Sequence, residues 1–153
     1  MNAHSKIRST PWPPRALLGE AEKKAVDALF DRAIASGQAF GYNGAEEEAL
    51  CRQFAASMGG GYADGVNSGT SAVYVALRAL DLEPFSEVIV SPITDPGGIM
   101  PIPLLNCIPV VADAAPGSFN TGPDQVAARI TPRTRAILVA HVMGEPADMP
   151  GIL

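Results

Sequence analysis

The order of apolar and polar positions divides the chain into two kinds of segment. From Gly19 to Ser36, Ala25, Ala28, Leu29, Phe30 and Ile34 recur on an approximate helical face with charges opposite. Gly37 supplies a stop for that helix. A second helix is expected from Ala45 to Met58, with Leu50, Phe54 and Ala55 as its apolar stripe and Gly59-Gly60-Gly61 behind it. Its acidic opening, Glu46-Glu47-Glu48, suits the positive end of a helix dipole.

From Tyr62 onward the pattern changes, and short apolar runs alternate with helical ones. Strands are expected at Tyr62–Val66, Glu87–Ser91, Ile108–Asp113 and Arg135–His141. Between them lie helices over Thr70–Leu80, with Val73, Ala76, Leu77 and Leu80 on one side, over Gly97–Asn106, where Pro101 and Pro103 interrupt the pattern, and over Pro123–Arg129. The runs Val88-Ile89-Val90 and Ala136-Ile137-Leu138-Val139-Ala140 are continuous instead of alternating, as in strands buried on both faces. The expected class is therefore α/β, a mostly parallel sheet with flanking helices over residues 19–153. Residues 1–18, with Pro11, Pro13 and Pro14 around Trp12, read as an extended arm, either packed on another chain or frayed. After the last strand, Met149-Pro150-Gly151 looks like the start of another helix, so the sheet reads as unfinished, a fragment or a chain that needs a partner.

Composition narrows the classes. With 153 residues, 47% hydrophobic and 18% charged, the chain has the make-up of a folded domain and not of a disordered one. A net charge of -5 with scattered basic residues argues against a nucleic-acid surface. No apolar run approaches the roughly 18 residues of a membrane helix, and the N-terminus lacks a secretory core. Cys51 and Cys107 are too few for a disulfide scaffold and read as small core residues, which points to a reducing, cytoplasmic setting. The lysines are Lys6, Lys23 and Lys24, all ahead of the first expected strand.

Two features carry chemistry. Asn67-Ser68-Gly69-Thr70-Ser71 precedes a helix, where free amides, hydroxyls and a glycine form a phosphate cradle; the same residues also read as a plain N-cap. No GxxxxGK[ST] loop is present. Thr94, Asp95, Asp113 and His141 follow apolar strands, and in open parallel sheets ligands bind at that end. Asp113 reads equally as a turn aspartate and His141 as a hydrogen-bonded structural histidine. No cluster has metal-ligand spacing.

Six segments occur in the order of one family: the Gly44…Phe54-Ala55 stretch, Val66-Asn67-Ser68-Gly69-Thr70-Ser71-Ala72, Glu87–Thr94, Ile108–Asp113, Ile130–Ile137, and His141–Met149. From Gly41 on, the chain resembles the N-terminal portion of the DegT/DnrJ/StrS sugar aminotransferases, pyridoxal-phosphate enzymes with the large domain of the aspartate-aminotransferase fold. The resemblance implies that Ser68, Gly69 and Thr70 hold the phosphate of pyridoxal 5'-phosphate, that Thr94 and Asp95 lie by its ring, and that His141 borders the substrate. It implies an amino-acid donor, a keto-sugar nucleotide acceptor, and a homodimer or a complementing chain. It assigns no catalytic residue here. The family's covalent lysine falls beyond these residues, and Lys6, Lys23 and Lys24 match no lysine motif. Asp95 stands where many members carry an aromatic ring that stacks on the cofactor. Leu82-Glu83-Pro84-Phe85-Ser86 replaces the usual G-x-x-P-G-D turn. The expectation is an N-terminal part of such an aminotransferase that is inactive alone; the alternatives are a non-catalytic binding or dimerisation module, a remnant, or a relative of the sugar dehydratases.

Overall fold

The computed structural model describes residues 18–153 and forms two compact units, residues up to Ala63 and Asp64–Leu153. The expected arm, apart from Leu18, lies outside the described residues.

The first unit carries two helices. Helix α1 spans Glu20–Ser36. Gly19 caps its start, and the Glu22 carboxylate accepts the Gly19 N–H at 2.7 Å. That bond and its own backbone amide hold Glu22 below the usual carboxylate range. Gly37 ends the helix in the left-handed region, at φ 67°, where a residue without Cβ is unstrained. Helix α2 spans Ala45–Ser57 and opens on the three glutamates as expected. An exposed Arg32–Glu46 ion pair of 2.5 Å lowers the Glu46 carboxyl, first through the hydrogen bond, and the Phe30 and Phe40 rings meet edge to face at 5.1 Å. Neither helix buries a residue, so Cys51, half-buried on α2, is not the core residue its type predicts.

In the second unit, α3 spans Gly69–Ala79, β1 Glu87–Val90, β2 Ile108–Val111, α6 Pro123–Ala127, β3 Thr134–Leu138 and α7 Met149–Ile152; between β1 and β2 lie two single turns, α4 (Pro96–Ile99) and α5 (Pro101–Leu104). The sheet is parallel in the order β2-β1-β3. Glu87 faces Ile108 and Thr134, with a register shift after Glu87 that sets Val88 opposite Ala136. All four residues of β1 are buried. Because side chains alternate across a strand, Val88 and Val90 join Leu77, Ile102 and Cys107 on one face, while Ile89 joins Ala112 and Val126 on the other. That two-sided burial is the physical reason for the continuous apolar run.

Three local expectations change. Tyr62–Val66 is not a strand. Tyr62 stands fully exposed, and the Gly65 N–H is held by the Asp64 side chain at 3.1 Å, a local bond that competes with a ladder. The single helix over Gly97–Asn106 is two short turns, since Pro101 has no N–H to donate and starts a turn of its own. On α3, Val73 and Leu77 pack inward, but Leu80, at the C-cap, is 54% exposed.

Candidate functional site

The loop from Asn67 to Ser71 reaches α3 through a set of hydroxyl bonds. Ser68, in extended backbone, is the N-cap, and its Oγ accepts the Ser71 N–H at 3.1 Å. The Ser71 hydroxyl donates to Asn67 Oδ1 at 2.6 Å, which leaves the Ser68 hydroxyl to donate to Ser71 Oγ at 3.1 Å. The Ser68 proton is thus engaged within the loop. The amides of Gly69 and Thr70, in the first turn, have no intrahelical acceptor, and the positive end of the helix lies with them. A Cβ at Gly69 would meet nothing within 4 Å. Gly69 and Thr70 are both exposed.

The end of β1 closes on this turn. Asp95 caps α4, its Oδ1 accepting the Gly97 N–H at 2.7 Å. A Cβ on Gly97 would overlap Thr70 Oγ1 and stand 2.8 Å from Asp95 Oδ1. Thr70 and Asp95 therefore share the α-carbon of Gly97, and only glycine permits that approach. Gly98 has the same relation to the Thr94 hydroxyl. Four of the residues singled out from the sequence, Gly69, Thr70, Thr94 and Asp95, are brought to one place by two glycines that sequence reading took only as helix positions. The signal was available, as a Gly-Gly pair directly after Pro96 is poor helix chemistry and marks close backbone approach.

Asp113 makes no bond to this group. It caps its own turn, accepting the Ala114 N–H at 2.8 Å, and lines a separate groove with Asp124 and Arg129. His141 follows β3, and its Nδ1 accepts the Ala147 N–H at 3.0 Å. Ser91, directly after β1, and Asn120, before α6, are both buried and hold the segment around His141, and neither was singled out from residue order. A polar residue in an apolar run or a turn does not reveal its partner until the chain has folded.

This arrangement fits a phosphate: two free amides, the Thr70 hydroxyl and unfilled space at Gly69 form a cradle at the N-terminus of an 11-residue helix. For an aromatic ring, the side chain at hand is the Asp95 carboxylate, which binds by hydrogen bonding and not by stacking. Among the described residues no group of histidine, cysteine and acidic side chains is arranged to hold a metal, and no helix is long and apolar enough to cross a membrane.

The chain is similar to known proteins in sequence and fold. The sequence pattern of the DegT/DnrJ/EryC1/StrS aminotransferase family matches residues 20–153. The 3-amino-5-hydroxybenzoate synthase of Amycolatopsis mediterranei is 32% identical over 152 residues, 99% of this chain and 37% of that protein. The dTDP-4-dehydro-2,6-dideoxy-D-glucose 3-dehydratase of Saccharopolyspora spinosa is 36% identical over 148 residues, 90% of this chain and 30% of that one. Among solved structures, NtdA from Bacillus subtilis with bound cofactor PMP superposes with a TM-score of 0.80 at 25% identity, over 97% of this chain and 34% of that one. The chain spans about a third of the length of the relatives it matches. The parallel α/β unit is that of the fold-type I pyridoxal-phosphate enzymes. The chain belongs to the DegT/DnrJ/EryC1/StrS aminotransferase family.

Proposed function

We propose that these residues are the N-terminal part of a pyridoxal-phosphate aminotransferase that moves an amino group from an amino acid to a keto-sugar nucleotide. Aminotransferases of the family act on amino-acid donors and sugar substrates. The observation that carries the reading is the open cradle of Gly69 and Thr70, closed on one side by Gly97.

In this reading the Gly69 and Thr70 amides and the Thr70 hydroxyl hold the cofactor phosphate, while Ser68 fixes the turn as its N-cap. Thr94 and Asp95 flank the ring, and His141 borders the substrate. Pyridoxal phosphate, when bound, supplies an electron sink that lets an amino group leave its donor. The chain's own residues bind and orient that group. The covalent lysine is expected from residues other than these, since none of Lys6, Lys23 and Lys24 matches the family's lysine motif. These 153 residues are accordingly inactive alone and work in the cytoplasm as a homodimer or with a complementing chain.

Pyridoxal 5'-phosphate and pyridoxal, titrated into the 153-residue chain, test the reading. The phosphate form is expected to bind at least tenfold more tightly, and Thr70→Val to remove most of that difference. Equal binding of the two compounds overturns it, as does a site-specific borohydride-stable adduct on Lys23 or Lys24. A second reading, a pyridoxal-phosphate sugar dehydratase, is favoured by the 36% identity to the Saccharopolyspora dehydratase. It uses the same cradle and differs at the residue that replaces the lysine.

A further inference from the structure

We infer that His141 presents Nε2–H as its hydrogen-bond donor while Nδ1 is engaged within the chain, and that buried Asn120 is the positioning residue that keeps it so. The Ala147 N–H donates to His141 Nδ1 at 3.0 Å. Nδ1 is therefore the acceptor nitrogen, and the ring proton of the neutral imidazole sits on Nε2. Nε2 has no hydrogen-bond partner among the described residues, and the residue is exposed. Nδ1 is engaged by the Ala147 N–H, and Nε2 is the ring nitrogen left to face a ligand. The ring offers Nε2–H to an oxygen acceptor of a ligand, such as a carbonyl, hydroxyl or phosphate oxygen.

The backbone around His141 does not adopt this arrangement by itself. Met143 sits at φ 54°, a left-handed conformation unusual for a residue with a side chain, and Gly144 follows at φ 80°. Asn120, 2% exposed, spans this turn. Its Oδ1 accepts the Val142 N–H at 2.8 Å, and its Nδ2 donates to the Glu145 carbonyl at 2.8 Å. On the other side of His141, the Ala140 N–H donates to buried Ser91 Oγ at 2.9 Å. His141 is thus pinned through both neighbours, and Asn120 sets the path that returns Ala147 to the ring. The amide provides one acceptor and one donor on separate atoms, one for each end of the turn.

The donor role rests on the proposed placement of His141 at the substrate. The tautomer itself is measured without any ligand, so a failure here is distinct from a failure of phosphate binding. Two-bond 1H–15N correlation of the imidazole in the 153-residue chain, at a pH where the ring is neutral, is expected to show Nε2 protonated and Nδ1 not. An Nδ1–H tautomer or an even mixture overturns the inference. In Asn120→Ala the single pattern is expected to give way to mixed tautomers and the Ala147 amide to exchange several-fold faster, with the amides of Val88–Val90 still protected. An unchanged tautomer in a folded Asn120→Ala removes Asn120 from the account. If that variant does not fold, Asn120→Asp retains the acceptor for Val142 and turns the donor to Glu145 into an acceptor oxygen facing its carbonyl. It is expected to shift part of the population, and an unshifted pattern is the overturning result.

Discussion

At its N-terminal edge the sheet turns its charged groups on one another, and at its C-terminal edge it leaves polar groups open. Glu87, the first residue of β1, is 4% exposed, and its carboxylate accepts from the Thr131 hydroxyl and the Arg133 guanidinium, each at 2.5 Å. The Arg133 carbonyl in turn accepts the Glu87 N–H at 2.9 Å. The Thr131 hydroxyl first, and Arg133 with it, hold the Glu87 carboxyl below the usual carboxylate range, against the opposing effect of burial. Seven and eight residues further on, past the end of β1, Thr94 and Asp95 stand near Thr70, where two helix amides and a hydroxyl have no hydrogen-bond partner among the described residues. One strand thus joins an edge whose polar groups satisfy each other to an edge whose polar groups are left open among the described residues. Satisfied groups stabilise the native state, while open ones give binding at the cost of stability.

The most damaging way to break this contrast is to break the strand that joins the two edges. Ile89→Ala empties a fully buried position packed against Ala112 and Val126. It is expected to cost about 2–5 kcal/mol in urea unfolding, and a loss below about 1 kcal/mol would mean the sheet is not the core of the unit. Next is Gly97→Ala, whose Cβ collides with Thr70 Oγ1 and Asp95 Oδ1. We expect a loss of about 1–3 kcal/mol together with weakened pyridoxal 5'-phosphate binding. Stability loss with binding intact would separate the two glycine-dependent contacts. Ser68→Ala removes the α3 cap at a cost of about 1 kcal/mol. Because the Ser68 proton is engaged with Ser71, phosphate affinity should fall far less than in Thr70→Val.

The smallest expected effect is on pH dependence, at the other edge. A carboxyl lowered in the native state adds stability that is fully present above the unfolded glutamate value of about 4.3. That stability is lost as pH falls through the lowered native value. Glu87→Gln should flatten the acid limb of a Tm-versus-pH curve relative to the parent, leaving the contributions of Glu22 and Glu46. An unchanged acid limb would show that Glu87 does not set this edge's response.

Much of this was legible in residue order. Helices α1, α2 and α3 were predicted within a residue or two, because glycines, a serine cap and acidic first turns are local signals. The parallel sheet followed from continuous β-branched runs, and the cradle from Ser68-Gly69-Thr70 ahead of an amphipathic helix. Tyr62–Val66 failed because a strand exists only with a neighbour to bond, and composition does not show whether an edge is free. The same limit hid Glu87 with Thr131, 44 residues apart, and Asn120 with Val142, 22 residues apart.

The sequence by itself determined the family, the α/β class, the helix ends and the serine-capped turn ahead of α3, since each depends on neighbours along the chain or on motifs in order. Only the tertiary structure decided that Gly97 lets Thr70 and Asp95 meet, that Glu87 is closed off by Thr131 and Arg133, and that Asn120 and Ser91 pin the His141 segment. These are contacts between distant residues, and their chemistry comes from buried geometry: a hydroxyl or amide acquires its role only when folding places a partner within hydrogen-bond reach and excludes water.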